Sequence, residues 1–379
     1  MHRSSTAAAL GPPLAAWVLA AAAVLGASAW AGASPWDAQT WTHGDSFLYL
    51  DIARHGFTLY RCGADWCGNA GWFPALPWLT AAVHAVTRVS YVGAAVGVAS
   101  AFHAATLVLL WNTFLERRLT VGAVSSLLFA AFAPGLVFHE AIFPMSVLAF
   151  FTLLHLWLLY RRRWLGAGLA GAAAALAYPV GVLLAGTSAL WLLVRGAPAG
   201  ARVRAVAEAS GLTLAGALVF LVDQRLETGR WNAYFLVQRK YDHALEEPFA
   251  PLENALHILR HHSPFAVTTP ITSQVHFAVS SATADETVLV AALLACGLAS
   301  VLLRRPVDDL GLLLVIWAVA AYIVPQLETE VQSYRVEATL LPLALFLPRL
   351  PRPLAVLFAV LTICLSVPIA RLAFEGRLF

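Results

Sequence analysis

Residues 41–77 read WTHGDSFLYLDIARHGFTLYRCGADWCGNAGWFPALP, and the reading of this stretch decides what the rest of the chain is for. It gathers Asp45, Asp51, Arg54, His55, Arg61, Asp65, Cys62 and Cys67 into a chain that is otherwise mostly apolar. Ionisable groups are costly beside a bilayer, and where they cluster they mark a site. At helical spacing Asp45, Tyr49 and Ile52 share one face, as do Asp51 and His55, which predicts an amphipathic helix lying along a membrane surface. Gly56 would end it. The other reading of the same residues is a solvated loop that only joins two membrane helices.

The surroundings of this stretch are those of a membrane protein. Hydrophobic residues make up 60% of the 379, charged residues 12%, and the mean hydropathy is +0.73, whereas a soluble domain is about 25% charged. The hydropathy pattern predicts an all-α polytopic bundle in one domain, 1–379, with eleven spans. These fall near residues 10–33, 91–115, 120–138, 143–160, 164–178, 180–195, 206–222, 287–303, 309–325, 336–348 and 354–372. The segment 73–86 is too short and too punctuated by proline for a crossing and reads as a helix in the outer interface. Two large outer loops follow, 34–90 and 223–286. Thirteen arginines against four acids lie on the side predicted to be cytoplasmic, among them Arg117, Arg118 and Arg161–Arg163, which orients the chain with both loops outside. The small-residue run ASAWAGA, 27–33, has the look of a signal-peptidase site, yet the first span is long enough to stay as an anchor.

Several function classes drop out. A net charge of +3, scattered between apolar spans, gives no footprint for nucleic acid. No glycine-rich phosphate loop, dinucleotide fingerprint or zinc-type Cys/His spacing occurs. Cys296 and Cys364 sit in apolar spans as small hydrophobes. Cys62 and Cys67, with four residues between them, can close a small disulfide ring if their loop faces an oxidising compartment, or remain two free thiols. Lys240 is the one lysine among 24 basic residues, and the arginine and alanine excess is associated with GC-rich bacterial genomes.

Two further outer segments carry mixed chemistry. Residues 227–256 interleave Trp231, Tyr234, Phe235 and Tyr241 with Arg239 and Lys240, a combination that suits a sugar or lipid on the aromatic face and a phosphate on the cations. An aromatic belt at the bilayer surface would use the same residues. In QLETEVQSYRVEATLLP, 326–342, Tyr334 and Arg335 precede an apolar span, where the arginine could also snorkel to the interface.

Taken together, these stretches resemble the PIG-V-like mannosyltransferases, the family of the second mannosyltransferase of GPI-anchor assembly and its bacterial relatives. The resemblance rests on Asp45, Tyr49, Ile52, Ala53, Gly56 and Phe57, followed by Phe73, Pro74 and Pro77; on Gly229 through Gln238, Arg239 and Tyr241; and on Tyr334, Arg335, Leu341 and Pro342. Gly44 stands where the family has tryptophan, with Trp41 one turn earlier, and Met145 stands where an acid is expected, with Glu140 nearby. The resemblance implies an integral-membrane GT-C glycosyltransferase fold. It also implies transfer of mannose from a polyprenyl-phosphate donor to a lipid or glycan acceptor at the outer face of a bacterial cytoplasmic membrane.

The chemistry of such a reaction asks for the same residue types. One carboxylate must take the acceptor hydroxyl's proton and cations must meet the phosphate, which assigns Asp45 as base and Arg239, Lys240 and Arg335 as phosphate partners. A single carboxylate implies direct displacement with inversion. Tyr49, His55, Trp72, Glu140, Gln238, Tyr241 and Tyr334 are the expected substrate-binding residues. A monophosphate leaving group does not oblige the enzyme to use a metal or other cofactor, and His43, His55 and His139 read as interfacial hydrogen bonders. Membrane lipids are the remaining expected partners. The competing class is a polytopic transporter or lipid flippase, which would show inverted repeats and midplane ionisable residues.

Overall fold

The computed structural model describes residues 6–196, 199–241, 249–261, 267–268, 279–304, 306–324, 335 and 337–377. The helices are α1 (Thr6–Trp30), α2 (Ser46–His55), α3 (Ala75–Thr87), α4 (Tyr91–Thr113), α5 (Val121–Ala131), α6 (Leu136–Glu140), α7 (Met145–Tyr160) and α8 (Trp164–Ala177). They continue with α9 (Leu183–Trp191), α10 (Ala199–Val206), α11 (Leu212–Thr228), α12 (Ala233–Gln238), α13 (Ala250–His261), α14 (Ser281–Leu302), α15 (Asp309–Ile323) and α16 (Arg352–Phe374). Ala338–Arg349 is a long 3₁₀ helix before α16. Two small antiparallel hairpins, β1 (Tyr60–Cys62) with β2 (Asp65–Cys67) and β3 (Val267–Thr268) with β4 (Val279–Ser280), are the strands among the described residues.

The eleven apolar stretches expected to span differ in their length as helices. Among the described residues five helices are long and apolar enough to cross a membrane: Thr6–Trp30, Tyr91–Thr113, Gly200–Thr228, Ala282–Leu302 and Arg352–Phe374. The other expected stretches are helical but run only 10–17 residues, at most roughly 26 Å of α-helix against a hydrocarbon core of about 30 Å. Hydropathy counts apolar residues and is blind to where a helix breaks. The stretch expected at 120–138 ends at Ala131, passes Pro134 and restarts as α6 from Gly135, whose φ of 64° is left-handed. In the 3₁₀ helix every residue from Ala338 to Leu347 is buried, so its apolar character packs against protein. The segment 73–86 is helical as α3, and Gly200–Thr228 extends the span expected at 206–222 in both directions.

Helix α1 shows how the bundle meets the demands of an apolar medium. Pro12 and Pro13 offer no N–H to the carbonyls of Ala8 and Ala9, four residues back. An orphaned carbonyl is expensive where water is absent. Helix α4 supplies the donors: Trp111 Nε1 reaches Ala8 O at 2.9 Å and Asn112 Nδ2 reaches Ala9 O at 3.0 Å. The buried face of α1 is Ala16, Ala20, Val24 and Ala27, small residues at helical period that let α4 and α16 approach. Helices α8 and α11 come closer still. A Cβ at Gly216 would stand 2.4 Å from the Ala172 carbonyl oxygen, so only glycine fits this crossing.

Candidate active site

Helix α2 is where the amphipathic pattern places it. Ser46, Tyr49, Leu50 and Ile52 are buried, Phe47, Arg54 and His55 are exposed, and Gly56 ends the helix at φ 78°. A side chain at Gly56 would also run into the Glu227 carboxylate at 2.6 Å, the group that accepts the Phe57 N–H. The following hairpin is closed by a disulfide between Cys62 and Cys67. Asn69, fully buried, ties it to α2: its Nδ2 donates to Asp51 Oδ2 at 2.6 Å and Gly56 O at 3.0 Å, and its Oδ1 accepts from Thr58 N at 2.7 Å. Trp66 at the hairpin lies between two guanidinium groups, Arg61 at 4.3 Å and Arg230 at 4.5 Å from its ring centre.

The residues of the FPALP motif fasten the next layer. Phe73 stacks on Phe220 of α11 at 4.4 Å and meets Tyr234 of α12 edge-on at 5.5 Å. Gln224 bridges two segments, donating to the Ala70 carbonyl and accepting from Tyr234 N at 3.0 Å. Gln238 donates to Gly71 O at 2.6 Å. Thus the outer segment after α11 is sewn onto the loop before α3 by amide-to-carbonyl bonds.

At the start of α2 two distant parts of the chain meet. Arg335 Nη1 donates to Asp45 Oδ2 at 2.6 Å across 290 residues, with side chains 16% and 29% exposed. Asp45 occupies the N-cap position but its side chain makes no capping bond, so the carboxylate is turned to the guanidinium and not to its own helix. Arg335 also lies 5.4 Å from the ring centre of Phe143 and 6.0 Å from that of Phe138. Tyr49 packs edge-on against the same Phe143 at 6.0 Å. Burial pushes the Tyr49 hydroxyl well above the usual tyrosine range, and Tyr178, Asp45, Arg335 and Tyr234 are the charged or titratable groups that act on it. It therefore stays protonated at neutral pH. His43, two residues before Asp45, is held neutral as burial lowers its affinity for a proton. A shallow cavity bounded by Trp41, His43, Val137, Phe143 and Phe374 opens beside this cluster.

The structure sorts the expected substrate residues into three groups. Asp45, Tyr49 and Arg335 come together. Arg239 and Lys240 are exposed on the turn after α12, with Lys240 Nζ 4.8 Å from the Tyr241 ring centre and Tyr241 edge-on to buried Trp72 at 6.3 Å. Among the described residues no ion pair joins these cations to Asp45. His55 bonds Asp51 at 2.8 Å at the far end of α2, about 15 Å along the helix from Asp45. Gln238 is taken up by Gly71, and Glu140 is buried with both carboxylate oxygens bonded inside the bundle. Tyr334 lies outside the described residues.

Sequence reasoning missed Phe138 and Phe143, which contact Arg335, Tyr178, which acts on Tyr49, and Glu227, which latches Phe57. Their aromatic or acidic identity was visible, but nothing local distinguished them from ordinary core or solvated residues. Among the described residues no group of three or more His, Cys, Asp or Glu side chains is disposed to hold a metal ion.

This architecture is that of a GT-C-like membrane fold. It is similar to the solved oligosaccharyltransferase of Archaeoglobus fulgidus in its apo form, with a TM-score of 0.52 and 14% identity over 97% of this chain. The complex of the Archaeoglobus fulgidus enzyme AglB with an inhibitory peptide and a dolichol-phosphate matches at a TM-score of 0.53 and 14% identity over 96% of this chain. The chain spans about 56% of the length of those proteins. No protein-family model matches the chain and no curated protein matches it.

Proposed function

We propose that this protein is a membrane glycosyltransferase that moves a sugar, mannose, from a polyprenyl-phosphate donor to a hydroxyl acceptor at the outer face of the membrane. The observation that carries the reading is the Asp45–Arg335 pair: a carboxylate and a guanidinium, partly exposed, joined from opposite ends of the chain beside a protonated tyrosine. A purely structural ion pair would serve equally well elsewhere on the surface. Here it sits where the resemblance puts the base.

In the proposed reaction the acceptor oxygen bonds to the sugar's anomeric carbon as the bond from that carbon to the phosphate oxygen breaks. The acceptor proton passes to Asp45, and polyprenyl phosphate leaves with its charge against Arg335. Displacement in one step inverts the anomeric centre. Before substrate arrives Arg335 occupies Asp45; an incoming phosphate competes for the guanidinium and frees the carboxylate to accept a proton. Arg239 and Lys240, on the exposed turn, draw the donor's phosphate towards the site. The fold similarity to oligosaccharyltransferases, one of them solved with a dolichol-phosphate, is compatible with a lipid-phosphate donor.

The test is transfer by the purified protein in lipid or detergent, with synthetic polyprenyl-phosphate mannose compared with the glucose and arabinose analogues and products read by mass. Transfer from mannose at least tenfold faster than from the others is expected. Equal rates with all three would discard the sugar assignment, and no transfer from any of them would discard the reaction.

A further inference from the structure

Glu140 has the burial of a core residue and the chemistry of a functional one. It closes α6, the five-residue helix that carries Phe138 and leads to Phe143. Ser100 Oγ donates to its Oε2 at 2.5 Å, His103 Nδ1 meets its Oε1 at 2.6 Å, and Trp17 Nε1 donates on to Ser100 Oγ at 3.2 Å. His103 and Ser100 belong to α4 and Trp17 to α1, so Glu140 bolts the end of α6 to two long membrane helices. The other end is held in the same way. Gly135, left-handed at φ 64°, donates its N–H to Glu286 Oε1 of α14 at 3.0 Å, and Glu286 is buried.

The aromatic rings that contact Arg335 flank Glu140. Phe138 is two residues before Glu140, Phe143 three after it, and the two rings pack edge-on at 4.8 Å. A buried acid is costly unless its oxygens are hydrogen-bonded, so a segment bonded to one such group at Gly135 and carrying another at Glu140 resists displacement. We propose that Glu140 and Glu286 are positioning residues: they clamp residues 135–140 so that Phe138, and Phe143 three residues further on, hold the Arg335 guanidinium beside Asp45. Glu140 then acts on the donor through Arg335 and does not touch it. The proposal rests on the reading of Arg335 as a phosphate partner.

The test is donor-dependent kinetics on the full chain with polyprenyl-phosphate mannose as the varied substrate, comparing Glu140→Ala, Glu140→Gln, Arg335→Ala and Glu140→Ala with Arg335→Ala. Glu140→Ala should raise the donor KM about tenfold with kcat changed less than about threefold. Glu140→Gln, whose amide oxygen still accepts a bond, should recover most of that loss. In the Arg335→Ala background Glu140→Ala should add less than about twofold, because its target is gone. Full additivity of the two losses, or a Glu140→Ala defect confined to kcat, overturns the clamp. If the wild-type protein transfers no sugar, the transferase reading fails by itself. The clamp is then decided by amide hydrogen exchange of residues 136–143, which Glu140→Ala should speed and Glu140→Gln largely restore; unchanged exchange in Glu140→Ala overturns it.

Discussion

In the proposed reaction Asp45 takes the proton, and its two candidate roles, base and helix cap, predict different outcomes. Its side chain makes no capping bond, so replacing it by Asn removes a proton acceptor and half an ion pair without costing α2 a cap. Asp45→Asn should lower turnover by about two to four powers of ten while Asp51→Asn, whose carboxylate serves His55 and Asn69, changes it far less. Near-normal turnover in Asp45→Asn, measured by single-turnover sugar transfer, would end its assignment as base. A second carboxylate makes a pH-dependent contribution of its own. Asp308 receives two bonds from Arg349, at 2.6 and 2.9 Å, which hold its carboxyl at about 2, below its ordinary value of 3.8. Its folded-state affinity for a proton is depressed, so the stabilisation is complete above about pH 4 and is lost as pH falls through about 2. Arg349→Gln should therefore lower the melting temperature at pH 6 and leave it nearly unchanged at pH 2, although the 52% exposure of Asp308 keeps the effect small.

At the scale of elements, the α1–α4 contact shows how a helix with two interior prolines survives in an apolar bundle. Trp111→Phe keeps the ring but removes the N–H that satisfies the Ala8 carbonyl. The expected cost is about 1–3 kcal/mol, read as a lowered melting temperature in detergent, whereas Leu107→Ile on the same helix face should cost less. If Trp111→Phe is as stable as wild type, the proline-freed carbonyl finds another donor. The hairpin between α2 and α3 depends on Asn69 in the same sense, since one amide serves Asp51, Gly56 and Thr58 together. Amphipathic α2, its glycine stop and the short helix α3 were legible because periodicity and punctuation are local. Asn69 and Glu227 were not, because a single polar side chain reveals its partners only when the chain has folded.

For the whole molecule, the arginine distribution and the exposed surface yield a test of orientation. Trp36 is 90% exposed in the segment expected outside, and Leu119 is 79% exposed beside Arg117 and Arg118 in the segment expected inside. In a background with Cys62 and Cys67 replaced by serine, Trp36→Cys should react with an impermeant maleimide in intact cells and Leu119→Cys only after permeabilisation. The reverse pattern would invert the bundle and move the Asp45–Arg335 pair to the cytoplasmic face. Among the described residues the five long helices are joined by shorter ones: Met145–Tyr160 packs closely on Trp164–Ala177, which in turn packs on the long Gly200–Thr228 helix.

By itself the sequence determined that this is an all-helical membrane protein, that a polar stretch after the first span forms an amphipathic helix opened by Asp45, and that aromatic and cationic residues recur in the later outer segments. These follow from composition and from periods of a few residues, which need no knowledge of distant contacts. Only the tertiary structure decided that Arg335, and not Arg239 or Lys240, is the cation at Asp45, since a pair 290 residues apart has no local signature. It also moved Glu140 from a substrate surface to the interior, because a lone acid in an apolar stretch reads the same whether it faces a ligand or finds Ser100 and His103 behind it. Which apolar stretches form unbroken helices of membrane length among the described residues was likewise visible only in the structure. Hydropathy measures how apolar a segment is, while Pro134, Gly135 and the buried 3₁₀ helix at 338–349 show that apolar segments can be broken or covered by protein and so need not face lipid.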